Sequence, residues 1–258
     1  MKILRSLMFI IVLAYFLQAL MNDEMFRGQF EKNLELLNVG SYEQADYTVA
    51  SEEERKSSLK QGLVMDDGET VGVLAGNQVG KVVLVEFYDF SCIYCKKIAS
   101  NVLSVIRNNA DLRVVLVPLS IVGPFSEYAS RAFFAAAEQG KTLEMYEELL
   151  VKTQRLNRKS IDAAAQNVGL DMKQYYADIK SRKFDKQMRE MVRVLKEFQI
   201  KSVPALFLNG EKVSGQNASV LQSEVDNART LQKKIKEADD AGKTHDDALS
   251  LLHSMGNE

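Results

Sequence analysis

The stretch Val82–Lys97, VVLVEFYDFSCIYCKK, constrains this chain more than any other. It opens with an apolar, β-branched run from Val82 to Tyr88, interrupted only by Glu86. Such a run reads as a strand buried on both faces. It closes on Cys92-Ile93-Tyr94-Cys95, after which Ile98, Val102, Val105 and Ile106 recur at helical spacing. Cys92 therefore falls where a strand hands over to a helix. There a sulfur meets unpaired backbone N–H groups and the positive end of the helix dipole. Both favour thiolate, so Cys92 is expected to be the reactive, exposed sulfur. Cys95, one turn on, faces inward and can close a small disulfide. Cys-x-x-Cys pairs also bind metal or make structural bridges; strand-then-helix placement points instead to dithiol–disulfide exchange.

The rest of the composition narrows the chemistry. The chain has no other cysteine, and its two histidines, His245 and His253, lie near the C-terminus. Structural zinc takes four ligands, so no protein-only zinc site is expected. Soft thiolates select copper(I), which leaves copper(I) binding or copper tolerance on Cys92 and Cys95 as an alternative function. The formal net charge of −2 gives no argument for nucleic acid. With only three prolines, Pro118, Pro124 and Pro204, in 258 residues, much of the chain reads as helix.

Along the chain, Met1–Met21 pairs Lys2 and Arg5 with the apolar run Leu7–Leu17. It reads as a secretory signal, with an uncleaved membrane anchor as the alternative, and either places the remainder outside the cytoplasm. A helical arm is expected over 22–70. Phe26, Phe30, Leu34 and Leu37 form one stripe in Asn22–Asn38, and Ser51 with Glu54 makes a capping box for Ser51–Gln61. This arm either packs on the main domain or joins copies of the chain. The main domain is expected over 71–236. It begins with an edge strand at Val71–Leu74 and a turn at Ala75-Gly76-Asn77. The strand Val82–Tyr88, the helix Cys92–Asn108 and the strand Leu112–Val117 then form a parallel βαβ unit. An all-helical insertion over 124–199 follows, including a helix Thr142–Thr153 capped by Thr142. Ala205–Leu208, the turn Asn209-Gly210 and Glu211–Ser214 read as a hairpin, and Ser219–Ile235 as a closing helix. Residues 237–258 form a polar tail.

This order resembles the DsbA group of thioredoxin-fold proteins, an α/β class, and most of all its suppressor-of-copper-sensitivity C branch. The likeness rests on Val85–Lys96, on Gly123-Pro124-Phe125-Ser126 with Gln139-Gly140-Lys141, on Val168-Gly169-Leu170-Asp171 and on Val203-Pro204-Ala205. It covers about Val73 to Leu231. The resemblance implies that Pro204 is a cis-proline lying against the disulfide, that Val203 contacts the attacking sulfur, and that Glu86 is a buried acid moving a proton to or from Cys95. A carboxyl among apolar neighbours has a raised pKa. Two departures bear on direction. Ile93-Tyr94 stands where DsbA oxidases commonly have Pro-His, which implies a less oxidising pair; Ser202-Val203-Pro204 stands where many relatives of the branch have Gly-Thr-Pro, and valine there looks more like the oxidases.

The expected function is extracytoplasmic thiol–disulfide exchange with exported cysteine-containing proteins, reset by an unidentified redox partner and needing no organic cofactor. Cys92, Cys95, Pro204 and Glu86 are the candidate catalytic residues, and Val203, Ile93 and Tyr94 the candidate substrate contacts. The direction, oxidase or isomerase/reductase, stays open. An oligomeric chaperone-like surface protein with an incidental dithiol is the remaining alternative.

Overall fold

The computed structural model describes residues 48–64 and 68–240. The signal or anchor at Met1–Met21, the apolar stripe of Asn22–Asn38 and the tail from residue 241 lie outside the described residues. The elements run α1 (Glu52–Gln61), β1 (Val73–Gly76), β2 (Val82–Tyr88), α2 (Ile93–Asn108) and β3 (Leu112–Pro118). Then come α3 (Ser126–Glu138), α4 (Thr142–Glu147), a π-helical turn (Glu148–Lys152), α5 (Arg158–Asn167), α6 (Met172–Lys180) and α7 (Asp185–Glu197). The chain then returns to the sheet with β4 (Ala205–Leu208) and β5 (Glu211–Val213) and continues into α8 (Ala218–Asp240).

The sheet order is β1-β3-β2-β4-β5. β2 is parallel to β3, and the other neighbouring pairs are antiparallel. β2 has a strand on each side and all seven of its residues are buried, as its unbroken apolar run requires. The buried face of α2 carries Ile98, Val102, Val105 and Ile106, the residues that repeat at helical spacing. The βαβ unit and the helical insertion between β3 and β4 are therefore as expected.

The β4–β5 hairpin is fixed twice. Asn209 and Gly210 have φ of 48° and 88°, as a type I′ turn needs. The Asn209 side-chain oxygen accepts from Val83 N at 2.8 Å, and Asn209 N donates to Val83 O at 2.8 Å. A Cβ at Gly210 would come within 2.7 Å of the Lys56 carbonyl oxygen, so glycine lets α1 lie against the turn. The capping box forms as read: Glu54 N donates to Ser51 Oγ and Ser51 N to the Glu54 carboxylate. Leu59 is buried, and Lys56 pairs with Glu211 at 3.0 Å. Helix α1 thus packs on the hairpin.

Three local expectations change. Ala75 and Gly76 belong to β1, paired with Val114 and Arg113 of β3, rather than to a turn. Thr142 does not cap α4; Lys141 occupies that position without a side-chain cap bond. The predicted helix over Thr142–Thr153 also widens into the π-helical turn, closed by Thr153 N donating to Glu148 O at 2.9 Å.

Candidate active site

Cys92 is the N-cap of α2, with φ −74° and ψ 118°. Its amide donates to the Asp89 carbonyl at 3.0 Å, and its own carbonyl accepts from Lys96 N at 3.1 Å. The sulfur accepts the Cys95 amide at 3.3 Å, one of the donors that a helix leaves unpaired in its first turn. The thiol in turn donates to the Val203 carbonyl oxygen at 3.6 Å, and the Val203–Pro204 bond is cis. Both cysteines are free thiols. Sequence placed Cys92 as an exposed sulfur; it is 5 % exposed and Cys95 is fully buried. The backbone at Val203, 111 residues later, lies against Cys92. Between the cysteines, Ile93 and Tyr94 are each 63 % exposed, so the apolar face presented to solvent lies immediately beside a nearly covered sulfur.

Beneath the dithiol, Glu86 is fully buried in the middle of β2, in register with Leu116 of β3 and Leu206 of β4. Burial pushes its carboxyl up to about 7, opposed by a hydrogen bond from Tyr146. That bond, Tyr146 Oη to Glu86 Oε2, is 2.9 Å long. Burial also pushes the Cys95 thiol well above the usual range; the hydrogen bond with Cys92 adds to this, and the Glu86 charge acts in the same direction. The structure therefore gathers Cys92, Cys95 and Val203–Pro204 beyond the end of β2, with Glu86 inside the strand and acting electrostatically on Cys95.

Three supporting residues were not singled out by sequence. Asp89 is fully buried and accepts four hydrogen bonds: from Ser91 N at 2.7 Å, Ser126 Oγ at 2.7 Å, Ile121 N at 2.8 Å and Val122 N at 2.9 Å. The bond to Ser91 N is an Asx turn, a signal that an Asp two residues ahead of a Ser at a strand end does carry. The 121–123 loop is drawn close by these bonds; a Cβ on Gly123 would meet the Ser91 Cβ at 2.7 Å. Tyr146 is fully buried on α4. Lys96, directly after Cys95, donates to the carbonyls of Leu149 and Thr153. It caps the π-helical turn from the redox helix, and burial lowers its pKa.

A parallel and antiparallel sheet with a Cys-x-x-Cys at the strand–helix junction, facing a cis-proline, is the architecture of a thioredoxin-fold protein. The chain belongs to the thioredoxin family: the family model described as Thioredoxin matches residues 69–227. It is similar in fold to a thioredoxin-like oxidoreductase from Silicibacter pomeroyi, at 27 % identity and TM-score 0.57, covering 63 % of this chain and 94 % of that one. It is similar to the thiol-disulfide exchange protein α-DsbA2 of Wolbachia pipientis, at 22 % identity and TM-score 0.59, covering 68 % and 96 %. The catalytic domain of Proteus mirabilis ScsC aligns at 21 % identity and TM-score 0.57, covering 67 % and 97 %. The DsbA-like and ScsC-like fold expected from sequence is thus the fold observed, helical insertion included. Among curated sequences, the Na(+)/H(+) antiporter NhaA 3 of Salinispora tropica is 28 % identical over 142 residues, 54 % of this chain and 22 % of that protein. The chain spans about a quarter or less of the length of the curated relatives it matches. Among the described residues no helix is long and apolar enough to cross a membrane.

Proposed function

We propose that this chain is a thiol–disulfide oxidoreductase acting on cysteine-containing proteins outside the cytoplasm. The observation that carries the reading is the Cys92 sulfur at the N-cap of α2, accepting the Cys95 amide and lying against the Val203 carbonyl. In the reducing direction the Cys92 thiolate attacks a substrate disulfide. One substrate sulfur leaves and a mixed disulfide forms on Cys92. Cys95 then gives up its proton and attacks the Cys92 sulfur, closing Cys92–Cys95 and releasing the second substrate thiol. In the oxidising direction a substrate thiolate attacks Cys92 of the closed pair, and Cys95 leaves and takes up a proton. No organic cofactor enters either route.

Ile93 and Tyr94, exposed beside the sulfur, serve as substrate contacts, and the backbone at Val203–Pro204 receives an extended substrate segment. The charged start and apolar run of Met1–Met21 support export. The stripe Phe26, Phe30, Leu34 and Leu37 supports self-association through the arm. Redox equilibration of the purified chain against glutathione, followed by mass shift after thiol alkylation, tests the reading. The expected result is a two-electron transition of one Cys92–Cys95 pair that the Cys92→Ser variant lacks. Failure to form that disulfide at any glutathione ratio, with tight copper(I) binding instead, would replace the oxidoreductase by the copper protein.

A further inference from the structure

The helical insertion reaches the carboxyl beneath the dithiol through Tyr146. Tyr146 of α4 and Glu86 of β2 are 60 residues apart in sequence and joined by a 2.9 Å hydrogen bond. Both side chains are fully buried. Tyr146 donates to Oε2, while Oε1 has no hydrogen-bond partner among the described residues. The groups facing this carboxyl can be named element by element. Tyr88, two residues on along β2, lies with its ring 5.4 Å from that of Tyr146. From α2 comes Cys95, which interacts electrostatically with Glu86, Tyr88 and Tyr146. From β3 and β4 come only Leu116 and Leu206 in register. The Asp89 carboxylate, past the strand end, is spent on its own four donors. No cation among the described residues pairs with Glu86.

A buried carboxylate with one donor and no countercharge depends on that donor. We propose that Tyr146 is a positioning residue of the redox site, holding one oxygen of Glu86 so that the other carries the proton exchanged with Cys95. The proposal rests on the oxidoreductase reading and deepens it. When a substrate thiolate attacks Cys92 of the disulfide, the Cys92–Cys95 bond breaks and its electron pair goes to the Cys95 sulfur. A thiol whose pKa burial has raised is a poor thiolate leaving group. The proton on Glu86 passes to it, leaving Glu86 as a carboxylate that keeps the Tyr146 bond. On resolution the same proton returns from Cys95 to Glu86 as the Cys95–Cys92 bond forms. Burial and the Glu86 charge hold the Tyr146 phenol far above the usual tyrosine range, so it stays a donor throughout and is not itself the proton carrier.

The test uses the full chain carrying ¹³C-carboxyl glutamate, with the Glu86 resonance assigned by its loss in Glu86→Gln. In the wild type the carboxyl should titrate well above the ordinary glutamate range in both redox forms, burial placing it at about 7 in the dithiol form. In Tyr146→Phe, which removes only the hydroxyl, the carboxylate loses its donor and the midpoint rises by about one pH unit or more. Reduction by dithiothreitol, followed by stopped flow, shows an inflection at the same midpoint and the same displacement in Tyr146→Phe. Glu86→Gln lacks the inflection, and adding Tyr146→Phe to it changes nothing further in the profile. A Tyr146→Phe protein slowed equally at every pH, with the midpoint unmoved, overturns the proposal and makes Tyr146 a packing residue. If that variant does not fold, the wild type and Glu86→Gln still decide: an inflection that survives Glu86→Gln overturns it. A displaced carboxyl midpoint in a protein that no dithiol reduces would sink the oxidoreductase reading while leaving the Tyr146–Glu86 coupling standing.

Discussion

Cys92 Sγ lies 3.6 Å from the carbonyl oxygen of Val203 and donates its thiol proton to it. The two come from opposite sides of the helical insertion, one leading into α2 and the other leading into β4. Cys95 sits deeper, fully buried, with its amide donating to the Cys92 sulfur.

That stacking orders the two sulfurs in the reaction. Cys95→Ser should accumulate mixed disulfides with reduced or scrambled protein substrates, visible as adducts on non-reducing gels and by mass spectrometry. Cys92→Ser should accumulate none, because its remaining sulfur has no exposed surface. Adducts formed by Cys92→Ser alone would reverse the order.

Glu86→Gln should change stability in a pH-dependent way. The folded-state pKa is raised from 4.5 to about 7, so the folded protein binds this proton more tightly than the unfolded chain. That preference is fully present below the unfolded pKa and is lost as pH rises through the folded one. Glutamine is neutral at every pH and keeps the benefit. The stability of Glu86→Gln relative to wild type should therefore improve by roughly 3 kcal/mol between acid and alkaline conditions. Its carbonyl keeps the Tyr146 bond while its amide group lacks an acceptor, which adds a constant offset; the slope carries the prediction. Urea unfolding at several pH values measures it, and parallel curves for the two proteins would contradict the assignment.

Tyr88→Phe should be neutral or stabilising. The Tyr88 hydroxyl is buried with no partner among the described residues, while its ring packs edge-on against Phe90 and Phe133. A buried unpaired hydroxyl costs about 1–3 kcal/mol, and phenylalanine keeps the ring. Thermal unfolding should show Tm unchanged or raised by about 2–4 °C per kcal/mol gained. A drop in Tm of that size would mean that the hydroxyl is satisfied and used.

The sequence made the scaffold readable because its signals are local. The β2 run, the helical repeat in α2 and the Asn209-Gly210 turn each specify their element without distant help. The junction at Cys92 was readable for the same reason. What stayed hidden depends on residues brought together from afar. Tyr146 is an ordinary apolar-face residue until α4 folds over β2. The π-helical turn at Glu148–Lys152 is capped by Lys96, which belongs to another helix. The contact of Cys92 with Val203 was reached only through the family resemblance, because nothing local to either residue announces the other. Glu86 was legible as a lone carboxyl in an apolar strand, but its hydrogen-bond donor was not.

Asp89 gives the strongest test of how the site is held. Its Oδ2 accepts from the amides of Ile121 and Val122, and its Oδ1 from Ser91 N and Ser126 Oγ. One buried carboxylate therefore joins the turn before Cys92 to the 121–123 loop and the start of α3. Hydrogen bonds to a charged group contribute about 1.5–3 kcal/mol each, and buried donors left without an acceptor cost about 1–3 kcal/mol. Asp89→Ala should lower stability by roughly 3–5 kcal/mol, and Tm by about 10 °C or more. Asp89→Asn should be nearly as damaging despite its shape. Its amide must present N–H groups to donors on one side or the other, and an N–H facing an N–H makes no bond. Hydrogen exchange at Ile121 and Val122 should accelerate in both variants more than exchange in β2, because those two amides lose their acceptor directly. The exchange reaction should slow as the turn carrying Cys92 loosens. An Asp89→Asn protein with wild-type Tm and unchanged protection at Ile121 and Val122 would show that neither charge nor acceptor geometry at Asp89 holds the loop.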